Sequence, residues 1–160
     1  MKILESLARV CAVAAGLLLT AIAVLTCVSL IGRNAAGMTL AGDFELTGVA
    51  SGAAIALFLP WCQVRRGNII VDFFTSRASP RTQGTLDRVG ALLLGACLAL
   101  LTWRSSVGGL AAWETGSGTM MLGFPEWIVY ALIVPGLALT ALIAFWQATA
   151  GFSPEPDEAA

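Results

Sequence analysis

The chain has 160 residues, 58% of them hydrophobic and 12% charged, with a mean hydropathy of +0.83, whereas a soluble domain carries about 45–50% apolar and about 25% charged residues. A formal charge of −1 excludes a broad basic surface for nucleic acid, because counterion release needs many clustered Lys and Arg. The absence of histidine removes the imidazole ligands of a haem-carrying four-helix subunit and the histidine of a mixed zinc set, so no cofactor or metal is expected.

A short head, residues 1–9, carries Lys2, Glu5 and Arg9, and residues 10–32 follow without a charge. About 23 residues at 1.5 Å each cover roughly 34 Å, enough for a hydrocarbon core of about 30 Å. A secretory signal has a basic start too, but its apolar part is only about 7–15 residues long; residues 10–32 therefore read as a retained first membrane helix. Asn34, Gly37 and Gly42 mark residues 34–43 as a loop, and residues 46–64 form a second uncharged helix that stops at Arg65-Arg66-Gly67. In residues 69–79, at 100° per residue, Ile69, Ile70, Val71, Phe73 and Phe74 fall on one arc and Asp72, Thr75 and Ser76 on the other. That pattern predicts a short amphipathic helix lying in the membrane interface, with Arg77 snorkelling and Pro80 ending the segment.

The third apolar run, between Arg88 and Arg104, is short. A helix over residues 86–107 reaches across if both arginines snorkel. A Gly-rich connection over residues 108–118 follows, and Pro125-Glu126-Trp127 supplies the start signals of a fourth helix over residues 125–147. Pro135-Gly136 near its middle predicts a kink. The tail, 151–160, is acidic and carries two prolines, a composition that predicts disorder.

Orientation follows from the rule that positive residues near helix ends stay on the cytoplasmic side. With both termini inside, Lys2, Arg9, Arg65, Arg66, Arg77, Arg81 and Arg88 are inside, and only Arg33 and Arg104 of the nine basic residues are outside. Trp61 and Trp146 then fall near inner ends and Trp103, Trp113 and Trp127 near outer ones, as an aromatic belt requires. The expected fold is an all-α membrane protein with four transmembrane helices, one interfacial helix, and an N-in/C-in topology.

Within the helices, Gly48-x-x-x-Gly52-x-x-x-Ala56 leaves a smooth strip for close helix approach, and Ala91-x-x-x-Gly95-x-x-x-Ala99 and Ala12-x-x-x-Gly16 repeat the pattern more weakly. Cys11, Cys27, Cys62 and Cys97 form no C-x-x-C pair and sit in apolar runs, so each reads as a small buried hydrophobe. Thr20, Thr26, Ser29, Ser51 and Thr140 are expected to bond a carbonyl one turn back. No charge falls in the central part of any helix on this reading, which argues against a solute path through the chain and for an accessory or scaffold subunit. Asp43 and Glu45, two apart, point to different faces and read as solvated helix-dipole partners, as do Glu114 and Glu126. No catalytic dyad, paired carboxylates or phosphate loop is present in the sequence, and the chain does not read as an enzyme.

At Arg65-Arg66-Gly67-Asn68-Ile69-Ile70-Val71-Asp72-Phe73-Phe74 the sequence resembles the small, DctQ-type permease subunit of TRAP transporters, a family in which a basic-Gly-x-Ile-x-Val-Asp pattern follows the second membrane helix. Asn68 stands where the commonest family form has His. Thr119 to Tyr130, TMMLGFPEWIVY, looks like the start of the family's last helix, with Pro125, Trp127 and Tyr130 in the expected order. The Trp-x-Glu-Glu type stretch before the second helix is represented only by Phe44-Glu45.

The resemblance implies a tripartite transporter of the bacterial inner membrane, taking up an organic anion such as a carboxylate by ion coupling. Its partners are a periplasmic substrate-binding protein and a large permease subunit; the large subunit holds the ion and substrate sites, and the small one braces it. Candidate structural and interface residues are Gly48, Gly52, Ala56, Arg65, Arg66, Gly67, Asp72, Pro125, Trp127 and Tyr130. Gly67 is expected to permit the turn out of the second helix, and Asp72 to pair with Arg65 or Arg66, a contact worth about 0–1 kcal/mol when exposed. The rival readings are a stand-alone four-helix channel or exporter, and a membrane anchor of another complex.

Overall fold

The computed structural model describes residues 2–37, 42–65 and 80–150; the expected interfacial segment 69–79 and the tail 151–160 lie outside the described residues, and Arg66, Gly67 and Asp72 with them. Among the described residues there are four helices: α1 (Lys2–Ala36), α2 (Asp43–Val64), α3 (Pro80–Thr115) and α4 (Glu126–Ala150). Each is long and apolar enough to cross a membrane, and among the described residues there is no strand beyond one isolated bridge, Gly118 to Pro125.

The helices are punctuated by residues suited to the job. Gly37 follows α1 with φ +64 and Gly116 follows α3 with φ +62, the left-handed stop that lacks a Cβ penalty only for glycine. Pro80 is the first residue of α3, where its missing N–H removes no helical bond. Helix α4 continues through Pro135, and α2 through a buried Pro60.

Packing follows the order α1, α2, α4, α3. The extensive pairs are α1 with α2, α2 with α4 and α3 with α4, and α1 touches α4 only slightly. The helices therefore form an open row with α1 and α3 at its edges. At the centre of the row Gly136 meets Ala56 so closely that a Cβ on Gly136 would lie 2.7 Å from the Ala56 carbonyl carbon. Ala53, Ala54, Ala141 and Ala144 are buried, and Leu137 and Ala141 pack with Leu98 of α3, joined by Leu59 and Ile133.

Helix α3 departs most from expectation. The anticipated Gly-rich connection over residues 108–118 is helical as far as Thr115, because Gly108 and Gly109 seat against Tyr130 of α4. A Cβ at Gly109 would lie 2.9 Å from that of Tyr130. Lower in the pair Gly95 faces the Phe145 ring, and at the far end Trp113 meets Trp127 edge to face with centroids 4.7 Å apart. These contacts fix the antiparallel register: 109 is level with 130 and 95 with about 144, so Arg104 is level with Pro135. Pro135 is itself level with Ala56, near the middle of the uncharged runs of α2 and α4. Arg104, expected at an outer helix end, instead lies level with Pro135, eleven residues before the end of α3 and on its exposed side. Glycine-on-aromatic packing sets this register, overriding the centring of the apolar run.

The cysteines also differ from expectation. Cys27 and Cys97 are exposed and Cys11 and Cys62 half-buried, since a row of helices has too little interior to enclose them. Two substitutions separate seam from surface: Gly136→Ala is expected to lower unfolding stability in detergent by about 1–3 kcal/mol through overpacking, while Gly48→Ala, with nothing within 4 Å, should be neutral or stabilising by up to about 1 kcal/mol.

Candidate functional site

The polar contacts between helices gather at the two ends of the row. At one end Asp43, in the first turn of α2, accepts a hydrogen bond from Ser29 Oγ of α1 at 2.5 Å and lies 3.8 Å from the Arg33 guanidinium. Ser29 is only 2% exposed. Glu45, two residues on, faces the other way and accepts the backbone N–H groups of Met121 (2.8 Å) and Leu122 (3.1 Å) in the α3–α4 connection. Successive N–H groups converging on one carboxylate form a small anion cradle. The two acids do occupy different faces, but they are engaged with protein groups rather than left to solvent as helix-dipole partners.

The connection itself is tied internally. Thr119 N–H donates to Phe124 O (2.9 Å), Glu126 N–H donates to Ser117 O (3.1 Å), and Ser117 Oγ donates to Glu126 Oε2 (3.1 Å). Leu122 closes over Gly42, where φ is +82 and a Cβ would lie 2.7 Å from Leu122 Cδ1. Met120, Met121 and Phe44 are left exposed around it.

At the opposite end Gln63 of α2 and Gln147 of α4 are buried against each other. Gln63 Nε2 donates to Gln147 Oε1 at 2.7 Å, and Gln147 Nε2 donates to Gln63 O at 3.0 Å. Beside them the Trp61 indole carries two guanidiniums, Arg9 at 5.6 Å and Arg65 at 5.0 Å from the ring centroid, which joins the start of α1 to the end of α2 through cation–π contact. Thr20, Thr26 and Thr140 bond the carbonyl one turn back as expected, and Ser29 bonds Asp43 instead.

The proposed interface residues are dispersed over this frame. Gly48 is open, Gly52 faces Ile133 Cδ1 at 3.9 Å, and Ala56 is buried at the seam. Arg65 stacks on Trp61. Pro125 bridges to Gly118, while Trp127 and Tyr130 come together with Gly109, Leu110 and Trp113 along an open apolar groove of about 290 Å³ between α3 and α4. Gln63 and Gln147 were not among the expected residues; each is the one amide in an otherwise apolar run, near the same end of its helix, and that matched placement is the signal that finds them. Among the described residues no group of three Cys, Asp or Glu is placed to hold a metal. The arrangement joins helices.

The amide pair is testable by a double-substitution cycle. Gln63→Leu or Gln147→Leu alone is expected to cost about 1–2 kcal/mol in detergent unfolding by breaking the amide–amide hydrogen bond, and the two together to cost less than the sum of the single changes. Glu45→Ala is expected to speed hydrogen exchange at the Met121 and Leu122 amides while leaving the amides of α4 unchanged.

The comparisons agree with this membrane architecture. The family model of tripartite ATP-independent periplasmic transporters, DctQ component, matches residues 22–152. Neither a curated protein nor a solved structure gives a significant match. With four membrane-crossing helices and a family match over most of its length, the chain belongs to the DctQ component family of the tripartite ATP-independent periplasmic transporters.

Proposed function

We propose that the chain is a non-catalytic brace that holds a large permease subunit in the bacterial inner membrane during ion-coupled uptake of an organic anion such as a carboxylate, with a periplasmic binding protein as the third component. The observation that carries this reading is the open row. Helices α1 and α3 each have one main neighbour within the chain, and they expose apolar faces that include Leu17, Val24 and Val28 on α1 and Leu93, Leu100 and Leu101 on α3. A row encloses no channel, and the polar groups that join its helices lie at the ends, bonded to one another. Exposed apolar surface on an edge helix suits a larger membrane partner as well as lipid.

The N-in/C-in topology belongs to this proposal. It places Lys2, Arg9, Arg65 and Arg88 on the inner side and Arg33 on the outer, in keeping with the positive-inside rule. The segment 69–79 is assigned by its sequence pattern to the inner interface, where an amphipathic helix resists tilting of the row.

The experiment is co-expression of a tagged chain with the large permease subunit and binding protein of its operon. Stable co-purification with the large subunit is expected, together with solute uptake only when all three components are present. Solute flux into liposomes containing this chain alone would instead establish a stand-alone channel or exporter.

A further inference from the structure

Arg104 sets a problem that the chain does not solve by itself. The contacts of Gly109 with Tyr130 and of Gly95 with Phe145 place it level with Pro135, nine residues, or about 13 Å, inside the Glu126 end of α4. Its stem reaches roughly 7 Å, about half of that, so snorkelling does not bring the guanidinium to headgroups. On the helix it shares a face with Cys97, Leu100 and Ala111, flanked by Leu101 and Val107, all exposed. Gly95 and Gly109, which pack on α4, lie on the other side of the helix, and Gly108, which also meets Tyr130, lies at the edge of the Arg104 face. The acids among the described residues, Glu5, Asp43, Glu45, Asp87, Glu114 and Glu126, all sit towards helix ends, and the ion pair there joins Arg33 to Asp43. No carboxylate of the described chain stands at the depth of Arg104.

We infer that Arg104 is the intramembrane docking point of α3, and that its partner is a transmembrane helix of the large permease subunit bearing a carboxylate at mid-depth. The inference rests on the bracing role proposed above. An uncompensated charge at this depth is costly, and intramembrane arginines pair with opposite charge. The planar guanidinium offers parallel N–H donors that match a carboxylate in bidentate fashion. A second copy of this chain fits poorly: packed side by side in one orientation, two copies would bring two guanidiniums together at the same depth. The surrounding leucines give the contact an apolar, water-excluding surround.

The test uses the tagged chain co-expressed with the large subunit, scoring large subunit recovered per tagged chain and the amount of tagged chain in the membrane fraction. Wild type must first co-purify; its failure to do so would defeat the bracing role itself. Given that, Arg104→Leu is expected to reduce recovery about tenfold or more, and Arg104→Lys, which keeps the charge but not the bidentate fork, to give a recovery between those of Arg104→Leu and wild type. Arg104→Glu is expected to lose recovery and to regain it when a mid-depth Asp or Glu of the large subunit is changed to Arg. Recovery with Arg104→Leu equal to wild type would mean that the face meets lipid and would overturn the inference. So would failure of every mid-depth charge exchange to restore Arg104→Glu, an outcome that holds even if Arg104→Leu inserts poorly. Oxidative cross-linking of Cys97 to Cys97 of a second copy, in the complex, would overturn it as well.

Discussion

The approach of Gly136 to the backbone of Ala56 is the contact on which the arrangement hangs. Helix α1 is attached to α2 and α3 to α4, so the α2–α4 seam joins the two halves of the row. In lipid there is little hydrophobic drive for helices to associate, because the tails are as apolar as the side chains; association comes from dispersion over close surfaces and from hydrogen bonds. Gly136 provides the close surface, and Ala53 and Ala54 of α2 and Ala144 of α4 are buried as well. Pro135, just before it, does not break the helix, and Thr140 returns a hydrogen bond to the Gly136 carbonyl at 2.7 Å.

Hydrogen bonding then secures the seam away from its centre. The Gln63–Gln147 amides tie α2 to α4 at one end, and Glu45 reaches the α3–α4 connection at the other. Between these ends the contact surface is built from small and apolar side chains, with hydroxyls bonded within their own helices. A layer fixed at both ends and smooth between them resists splaying without enclosing a polar passage. This distinguishes it from a four-helix bundle that surrounds a pore or a cofactor, in which each helix has two substantial neighbours and polar groups face the axis.

Much of this was legible in the residues. Four apolar runs became four helices, since a span of uncharged residues in lipid has no alternative that satisfies its backbone. The family pattern around Arg65 and the TMMLGFPEWIVY stretch pointed to the right family. What escaped was set by neighbours rather than by local composition. Gly108-Gly109 reads as a break in isolation, yet it is the flat surface on which Tyr130 rests. Reading an apolar run between Arg88 and Arg104 ended α3 too early, because the ring contacts of α4 carry the helix on to Thr115. Asp43 and Glu45 were placed on different faces by their spacing alone, but their partners come from α1 and from a loop some 76 residues away in the chain. The Gln pair, separated by 84 residues, shows the same limit: an amide reads as neutral in a hydropathy scan whether or not it meets another.

The row order also bears on how the protein is made. Helices α1 and α2 are consecutive and antiparallel, as are α3 and α4, so each pair is a hairpin whose contacts form between segments synthesised one after the other, at small loop-closure cost. The seam joins residues far apart in sequence and completes only when α4 has emerged. During synthesis the first hairpin therefore waits in the bilayer with the Ala53–Ala56 surface of α2 not yet covered by α4. The interval between α2 and α4 is the period in which the chain is most open to mispairing.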